Sequence, residues 1–523
     1  MNRGKRTTSR RSIFGPRWAL ERLEERTLLS GNVTVSVTSA GNMNVVGDSK
    51  GNEILIQSTS TGALQVSSLD GTTTINGSSS PFTSSAVTGN VAVFMKQGAD
   101  VVDVGSTGML TTLPKNLFID TGSGSDTVAI ENASIGGSVA IFGGAGSDTF
   151  TVGSSSSEAA VSIGGSLYIV GGSGSGNTIA VFDANITDNL MIFSSGADDQ
   201  IQVGFDAGLG IIGETAPAHV SVGGNLDIRT PNGDHCYSQG GIFGRDDLGA
   251  LFTAFGSGSF GSSDIGQALR NDLAFLQGWC GGDGGGDGWN GGGGDGWDGG
   301  WNGGGGCNGG GGSSSSTEHV SVADVDVTGN VSIHTGNGAD QILLGAAPIP
   351  SNDTSEPLNL VFGPVNVGGN LHVNGGNGNN TILVDQVSVT GNTGIKTGSG
   401  TDDIAVLGNS ASFTGTFKIN SGSGNDAIAI INGATFQSTV TIKAGKGADV
   451  LYVAQSLFMD TTTFDGGAGS NTLLESQSIF PNSFTAGNPV VNSFPIQMLD
   501  VSPTDTIVTT NFGWLNSLLG LSP

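Results

Sequence analysis

The sequence predicts an all-β protein, a right-handed parallel β-helix wound in coils of about 22–24 residues, with one glycine-rich insertion that contains a short helix. Three observations carry this expectation. A unit of two short strands around a Gly-x-Gly-x-Asp turn recurs from about residue 89 to residue 474. Its period is nearly constant. Glycine supplies 92 of 523 residues, about 18% against a usual ~7%, and it is concentrated at the turns.

The clearest units are Asn116–Ile130 (NLFIDTGSGSDTVAI), Ser138–Val152 (SVAIFGGAGSDTFTV), Asn330–Leu344 (NVSIHTGNGADQILL), Thr416–Ile430 (TFKINSGSGNDAIAI) and Thr439–Val453 (TVTIKAGKGADVLYV). Weaker copies occupy 90–104, 166–181, 189–203, 370–384, 392–406 and 462–474, and Gly41–Gln57 reads as a first coil. Counted at the turn residue, Asp126 to Asp148 is 22 residues, Asp402 to Asp426 is 24, and Asp426 to Asp449 is 23. Three short strands and three turns fit in that length, and a helix does not fit beside them. Apolar residues alternate with period two, so Val128, Ile130, Val139, Ile141, Ile342, Ile428 and Ile442 are expected to point inward. At ~4.8 Å per coil, about fifteen coils make a rod of roughly 70 Å. Glycine supplies positive φ or close backbone approach at the corners. The asparagine before each first strand is placed to stack as an amide ladder. A propeller would need a repeat nearer 40–50 residues.

The chain divides into a basic, targeting-like segment 1–30, a first solenoid part 31–230, an insertion 231–318, a second solenoid part 319–475 and a C-terminal cap 476–523. In the insertion, Ile265, Ala268, Leu269, Leu273 and Leu276 have helical spacing within 264–279. Gly281–Gly312 follows, nearly all glycine, broken by Asp283, Asp287, Asp295 and Asp298 and by Trp289, Trp297 and Trp301. Such a tract carries no core, and its tryptophans suit stacking on sugar rings. All three cysteines, Cys236, Cys280 and Cys307, lie here. Their spacing is not that of a zinc site, and Cys280 with Cys307 suits a disulfide only outside the cell. The tail carries Phe480, Phe484, Phe494, Phe512 and Trp514 and is expected to cover the open last coil.

Net charge is −27, and eight of the 18 basic residues stand within the first 26 positions. Beyond Ser30 the chain has 10 basic residues against 42 acidic ones. That balance excludes nucleic acid as partner, because phosphate binding needs clustered Lys and Arg. No apolar run reaches 18 residues, so no transmembrane helix is expected. The apolar residues of the basic start are scattered, unlike the continuous stretch of a cleavable signal.

Leu23-Glu24-Glu25-Arg26-Thr27-Leu28-Leu29-Ser30 resembles the LEPR-XLL motif found at the start of planctomycete surface and exported proteins, with Glu25 where the motif has proline. The resemblance covers about ten residues and implies a cell-surface or extracellular location. The turn GGAGSDTFT at 143–151 is similar to the nonapeptide of RTX proteins, as are, less fully, 121–129, 335–343, 397–405, 421–429 and 444–452. That family binds calcium at such turns. The resemblance therefore implies calcium at Asp100, Asp126, Asp148, Asp340, Asp402, Asp426 and Asp449, with adjacent coils sharing oxygens and weaker sites at Asn177, Asn380 and Asn471. RTX rolls carry two nonapeptides per coil, and here there is one. The competing reading of the same residues is a turn whose Asp caps its own backbone.

Catalytic signals are sparse. None of His219, His235, His319, His334 and His372 lies in a protease or triad motif, and His334 and His372 sit at the non-apolar position of equivalent strands, as outward neighbours. Lys396, Lys418 and Lys443 recur once per coil and are the best enzyme-like feature. The expected function is non-enzymatic, a structural or adhesion-type rod whose partner is an envelope component or a polysaccharide. The alternative is a carbohydrate-active β-helix enzyme such as a polysaccharide lyase.

Overall fold

The computed structural model describes residues 31–106, 108–154, 158–204, 219–230, 316–349 and 359–481, with 490–492, 494, 496–499, 511, 512 and 515. Short strands succeed one another around a coil, and each pairs with its equivalents in the coils before and after. The result is three long sheets of 16, 16 and 11 strands. One coil shows the plan. Leu117–Asp120 lies in the first sheet, Thr127–Ile130 in the second and Ala133–Ile135 in the third, before Val139–Phe142 returns to the first. The pairing is parallel and in register, with Val128 beside Val102 and Phe150, and Ile119 beside Val93 and Ile141. This is the predicted solenoid. All seven residues expected to point inward are fully buried.

Each corner has its own local cause. The first-to-second corner is the Gly-x-Gly-x-Asp turn, where the backbones of successive coils nearly touch. A Cβ built on Gly469 would stand 1.5 Å from the Gly447 carbonyl oxygen of the coil before, far inside van der Waals contact. At the second-to-third corner a single residue bends the chain at positive φ, as Asn132, Asp183 and Asp324 do at 44°, 42° and 57°. Asn and Asp tolerate that region better than other side chains. The third corner precedes the Gly-Asn or Gly-Ser step. There the asparagine of one coil lies over the glycine of the next, and a Cβ on Gly137 would fall 2.1 Å from Asn116 Oδ1. The expected amide ladder is present. Asn90 N–H donates to Asn42 Oδ1 at 2.9 Å, Asn330 to Asn225, Asn370 to Asn330 and Asn392 to Asn370, each at 2.8 Å. Ser138 and Ser166 take the asparagine's place in two coils.

The core is a column of Val, Ile and Leu that becomes aromatic towards the C-terminal end. Phe413, Phe436, Phe458 and Phe480 stack at 5.2, 4.9 and 4.8 Å with nearly parallel rings. Phe417 and Phe464 meet this stack edge-on.

Three features differ from the sequence expectation of one uniform winding over 32–475. At the N-terminal end, Met43–Val46 and Glu53–Ser58 do form a first coil, pairing in parallel with Val91–Phe94 and Val101–Val104. Asn32–Val37 and Leu64–Ser68, however, pair with them antiparallel, and Phe82–Ser84 adds a further antiparallel strand. Folding the chain back fills the hydrogen bonds that a solenoid end would leave open. Second, an antiparallel hairpin, Ala346–Ile349 with Asn359–Phe362, lengthens one coil to 40 residues. Third, the tail does more than close the end. Val490–Asn492 and Ile496–Leu499 extend the first and second sheets by one strand, and Phe480 and Phe494 enter the core. Phe512 and Leu515 then pack on the outside of the second sheet, with Phe512 5.7 Å from Tyr452. Phe484 and Trp514 lie outside the described residues, as do segment 1–30 and the helix expected at 264–279.

The insertion interrupts no ladder. It leaves after the first-sheet strand Leu226–Thr230 and re-enters before the second-sheet strand His319–Val322, and both strands pair with the coils on either side. In that coil it stands where the others have the Gly-x-Gly turn.

Candidate functional site

Strand pairing brings one side chain per coil to the same place under the first corner. The column runs Asn52, Asp100, Asp126, Asp148, Asn177, Asp199, Glu318, Asp340, Asn380, Asp402, Asp426, Asp449, Asn471, and every member is at most 1% exposed. Each member after Asn52 accepts a hydrogen bond from the backbone N–H of the member one coil earlier. Asp100 N–H reaches Asp126 Oδ1 at 2.7 Å, Asp126 reaches Asp148 at 2.9 Å, Asp402 reaches Asp426 and Asp426 reaches Asp449, both at 3.0 Å. Asn177 and Asn380 continue the series in the same role. The Asp ladder therefore donates forward along the rod, and the Asn ladder of the third corner donates backward, in the opposite sense.

All seven acids read from the sequence as calcium ligands lie in this column. Two further acids belong to it and were not among them. Asp199 follows the irregular turn Ser195-Gly196-Ala197-Asp198, which hides the pattern. Glu318 has lost its Gly-x-Gly to the insertion. Its Oε2 still accepts Asp199 N–H at 2.8 Å, and its own N–H donates to Asp340 at 3.1 Å. The longer side chain holds the ladder at the coil where the insertion leaves.

The electrostatics follow from this inward aim. Burial pushes the Asp100, Asp148 and Asp426 carboxyls up to about 7, Asp340 to about 6, and Glu318 to about 8 with Asp199's charge adding. Burial raises Asp126, Asp199, Asp402 and Asp449 as well, against the opposing pull of the backbone N–H each accepts. Hydroxyls stand beside several of these carboxyls, such as Thr397 at Asp402 and Ser421 at Asp426. Their protons go to the next coil, Thr397 to the Ser421 carbonyl at 2.8 Å and Ser421 to the Ala444 carbonyl at 2.7 Å. The second carboxyl oxygen is buried with no hydrogen-bond partner in Asp100, Asp126, Asp148, Asp199, Asp340, Asp402, Asp426 and Asp449. In Asp148 it faces the inside of its own turn, 2.4 Å from where a Gly143 Cβ would be.

Calcium takes six to eight oxygens, with carboxylates converging on the ion. In this column one oxygen of each aspartate holds a neighbouring N–H and the other is buried without a hydrogen-bond partner, while both oxygens of Glu318 accept backbone N–H groups. No group of three or more His, Cys, Asp or Glu among the described residues is arranged to hold a metal ion. The turn residues each have a part in the coil-to-coil contacts: glycine allows the close backbone approach, and one oxygen of each aspartate accepts the N–H it caps.

A second polar group lies on the outward side of the first sheet. Arg229 and Asp227 form an ion pair at 2.7 Å beside the start of the insertion. His334 and His372 lie 5.1 Å apart on the next two coils. Burial, then His372, Arg229 and Lys396, lowers His334 to about 3, and burial lowers His372. The lysines alternate between the fourth and second strand positions, Lys396 pairing with Asn420 and Lys418 with Thr441, so they form a zigzag rather than a straight file. Among the described residues no helix is long and apolar enough to cross a membrane. Comparison with protein-family models, curated proteins and solved structures finds no match to the chain.

Proposed function

We propose that this chain is a non-enzymatic structural rod of the cell surface or extracellular space, serving envelope architecture or adhesion, with an envelope component or a polysaccharide as its partner. The observation that carries this reading is the inward aim of the acid column. The one residue type repeated often enough to form an extended site is buried beneath its own turns and gives one oxygen of each carboxyl to a coil-to-coil hydrogen bond. What the rod offers its surroundings is length, rigidity and an acidic surface. The LEPR-XLL-like start supports the location.

A second reading rests on the outward cluster of Asp227, Arg229, His334, His372 and Lys396, which places acid, base and cation on neighbouring coils as a carbohydrate-active enzyme would need. Two measurements separate the readings. Fractionation of cells should place the protein in the envelope or the medium, and purified protein should leave acidic polysaccharides intact. A cytoplasmic protein would overturn the structural reading's location. Chain cleavage abolished by Arg229→Ala would establish the enzyme.

A further inference from the structure

In the four-residue strands of the first sheet, the first and third side chains enter the core and the second and fourth point out. From Val91–Phe94 to Leu190–Phe193 the large outward residues are Phe94, Phe118, Phe142, Tyr168, Met191 and Phe193. They are 4, 1, 5, 2, 7 and 1% exposed, yet none belongs to the interior core. Phe94, Phe118 and Phe142 contact one another at 5.2 and 5.3 Å. Lying in a sheet does not by itself bury an outward side chain: in the second sheet of the same coils, Val101, Asp103, Thr127, Ala129, Thr149 and Thr178 are only half-buried and Gln200 is exposed, although Thr151, Ala180 and Gln202 are buried. No described strand pairs or packs across this apolar face. From Leu226–Thr230 onward the outward positions turn basic: Arg229, Lys396, Lys418 and Lys443 are cationic, His334 and His372 between them are held neutral, and Lys443 is exposed.

We propose that the outward face of the first sheet, from Phe94 to Phe193, is a docking surface for the chain's own segment 231–315, which lays its apolar stripe on the aromatic patch and its acids against the cationic column. Three observations select this occupant. The segment leaves the rod at Thr230, the end of a first-sheet strand in which Arg229 pairs beside Phe193. It carries nine Asp and only two basic residues, Arg245 and Arg270, opposite in sign to the column beside its exit. Its stretch 264–279 has the length the face requires: sixteen residues at ~1.5 Å rise cover about 24 Å, and five strands at ~4.8 Å spacing cover about 20 Å. The insertion is then a strap that seals one side of the solenoid, as the tail seals part of another.

The test uses the full chain. Trypsin can cut the segment only after Arg245 and Arg270. In the wild type, cleavage at Arg270 should be at least ~10-fold slower than in a Phe142→Asp, Tyr168→Asp double variant whose β-sheet circular dichroism is unchanged. A second variant keeps the test decisive if the double variant fails to fold. Replacing 231–315 by Gly-Ala, which with Ser316 and Thr317 restores the four-residue length of the turn at 144–147, should preserve the β-sheet signal and raise the fluorescence of an apolar-surface dye several-fold. Equal cleavage rates at Arg270, or unchanged dye fluorescence on replacement, would overturn the proposal. So would exposure of the face on deleting residues 1–30, or a wild-type dimer that the Phe142→Asp change makes monomeric while Arg270 stays protected.

Discussion

Replacing Asp426 by asparagine should stabilise the rod at alkaline pH. Its carboxyl is 1% exposed and ionises near 7 instead of 3.8, chiefly through burial, with the charges of Asp402 and Asp449 adding. A folded pKa above the unfolded one means stability is full below about pH 3.8 and is lost as pH rises through about 7. At about pH 8 that difference corresponds to a ceiling of ~4 kcal/mol, and solvent reaching the thin turn reduces it to ~2 kcal/mol. Asparagine keeps the oxygen that accepts Asp402 N–H at 3.0 Å. Its new amide would face the turn carbonyls, as Asn380 Nδ2 faces Gly378 O at 3.3 Å and Asn471 Nδ2 faces Gly466 O at 2.6 Å. A hydrogen bond of that kind adds ~1 kcal/mol. The assay is thermal unfolding followed by circular dichroism in chelator. Midpoints are compared because repeat arrays need not unfold in two states. Asp426→Asn should melt a few degrees above wild type at about pH 8, and the gain should shrink at about pH 4. A lower midpoint at pH 8 would refute the reasoning, since it would mean the site needs the ionised carboxylate.

Other expectations follow from the same geometry. Asp426→Ala strands the Asp402 N–H in a buried place and should lower stability by about 1–3 kcal/mol at about pH 4, and by less at about pH 8 where it also removes the cost of the buried carboxylate, as read by denaturant unfolding. Phe436→Ala removes the middle of the aromatic stack and should cost about 3–5 kcal/mol on the same measurement. His334, lowered to about 3 from 6.5, contributes stability that is present above about pH 6.5 and lost as pH falls. His334→Gln should therefore flatten the loss of stability on the acid side. Truncation after Ser476 uncovers Phe458, Phe464 and Tyr452 and should cause aggregation visible by light scattering.

The winding was legible because strand, turn and period repeat together. The spacing of Asp126, Asp148, Asp402, Asp426 and Asp449 is the length of a coil, and alternation fixed which of Val128 and Ala129 faces the core. The antiparallel N-terminal end was not legible, because Ser- and Thr-rich alternation around 59–88 suits either strand direction. The 346–362 hairpin carries no repeat to measure it against. Glu318 was hidden because its partners, Asp199 and Asp340, are 119 and 22 residues away across an insertion. The aim of the aspartates was ambiguous in principle. Gly-x-Gly-x-Asp serves an outward metal ligand and an inward N–H cap with the same letters, and the two differ only in where the side chain turns. The covered outer face was half visible: Phe94, Phe118 and Phe142 stand at positions where an uncovered strand would carry polar residues, but only burial shows that they are covered.

The most direct measurement is thermal unfolding of the full chain at about pH 6.5 and about pH 8.5, each with millimolar calcium and with chelator. Rising pH in this window also deprotonates the unfolded His334 and His372, which alone would raise the midpoint slightly, so a fall reports the buried acids. Asp100, Asp148 and Asp426, at about 7, and Glu318, at about 8, lose their protons across this window. A column held by protons and hydrogen bonds predicts a lower melting midpoint at pH 8.5 and the same midpoint with calcium as with chelator. A midpoint that calcium raises, most of all at pH 8.5 where the carboxylates are ionised, would contradict it and return the turns to a metal-binding role.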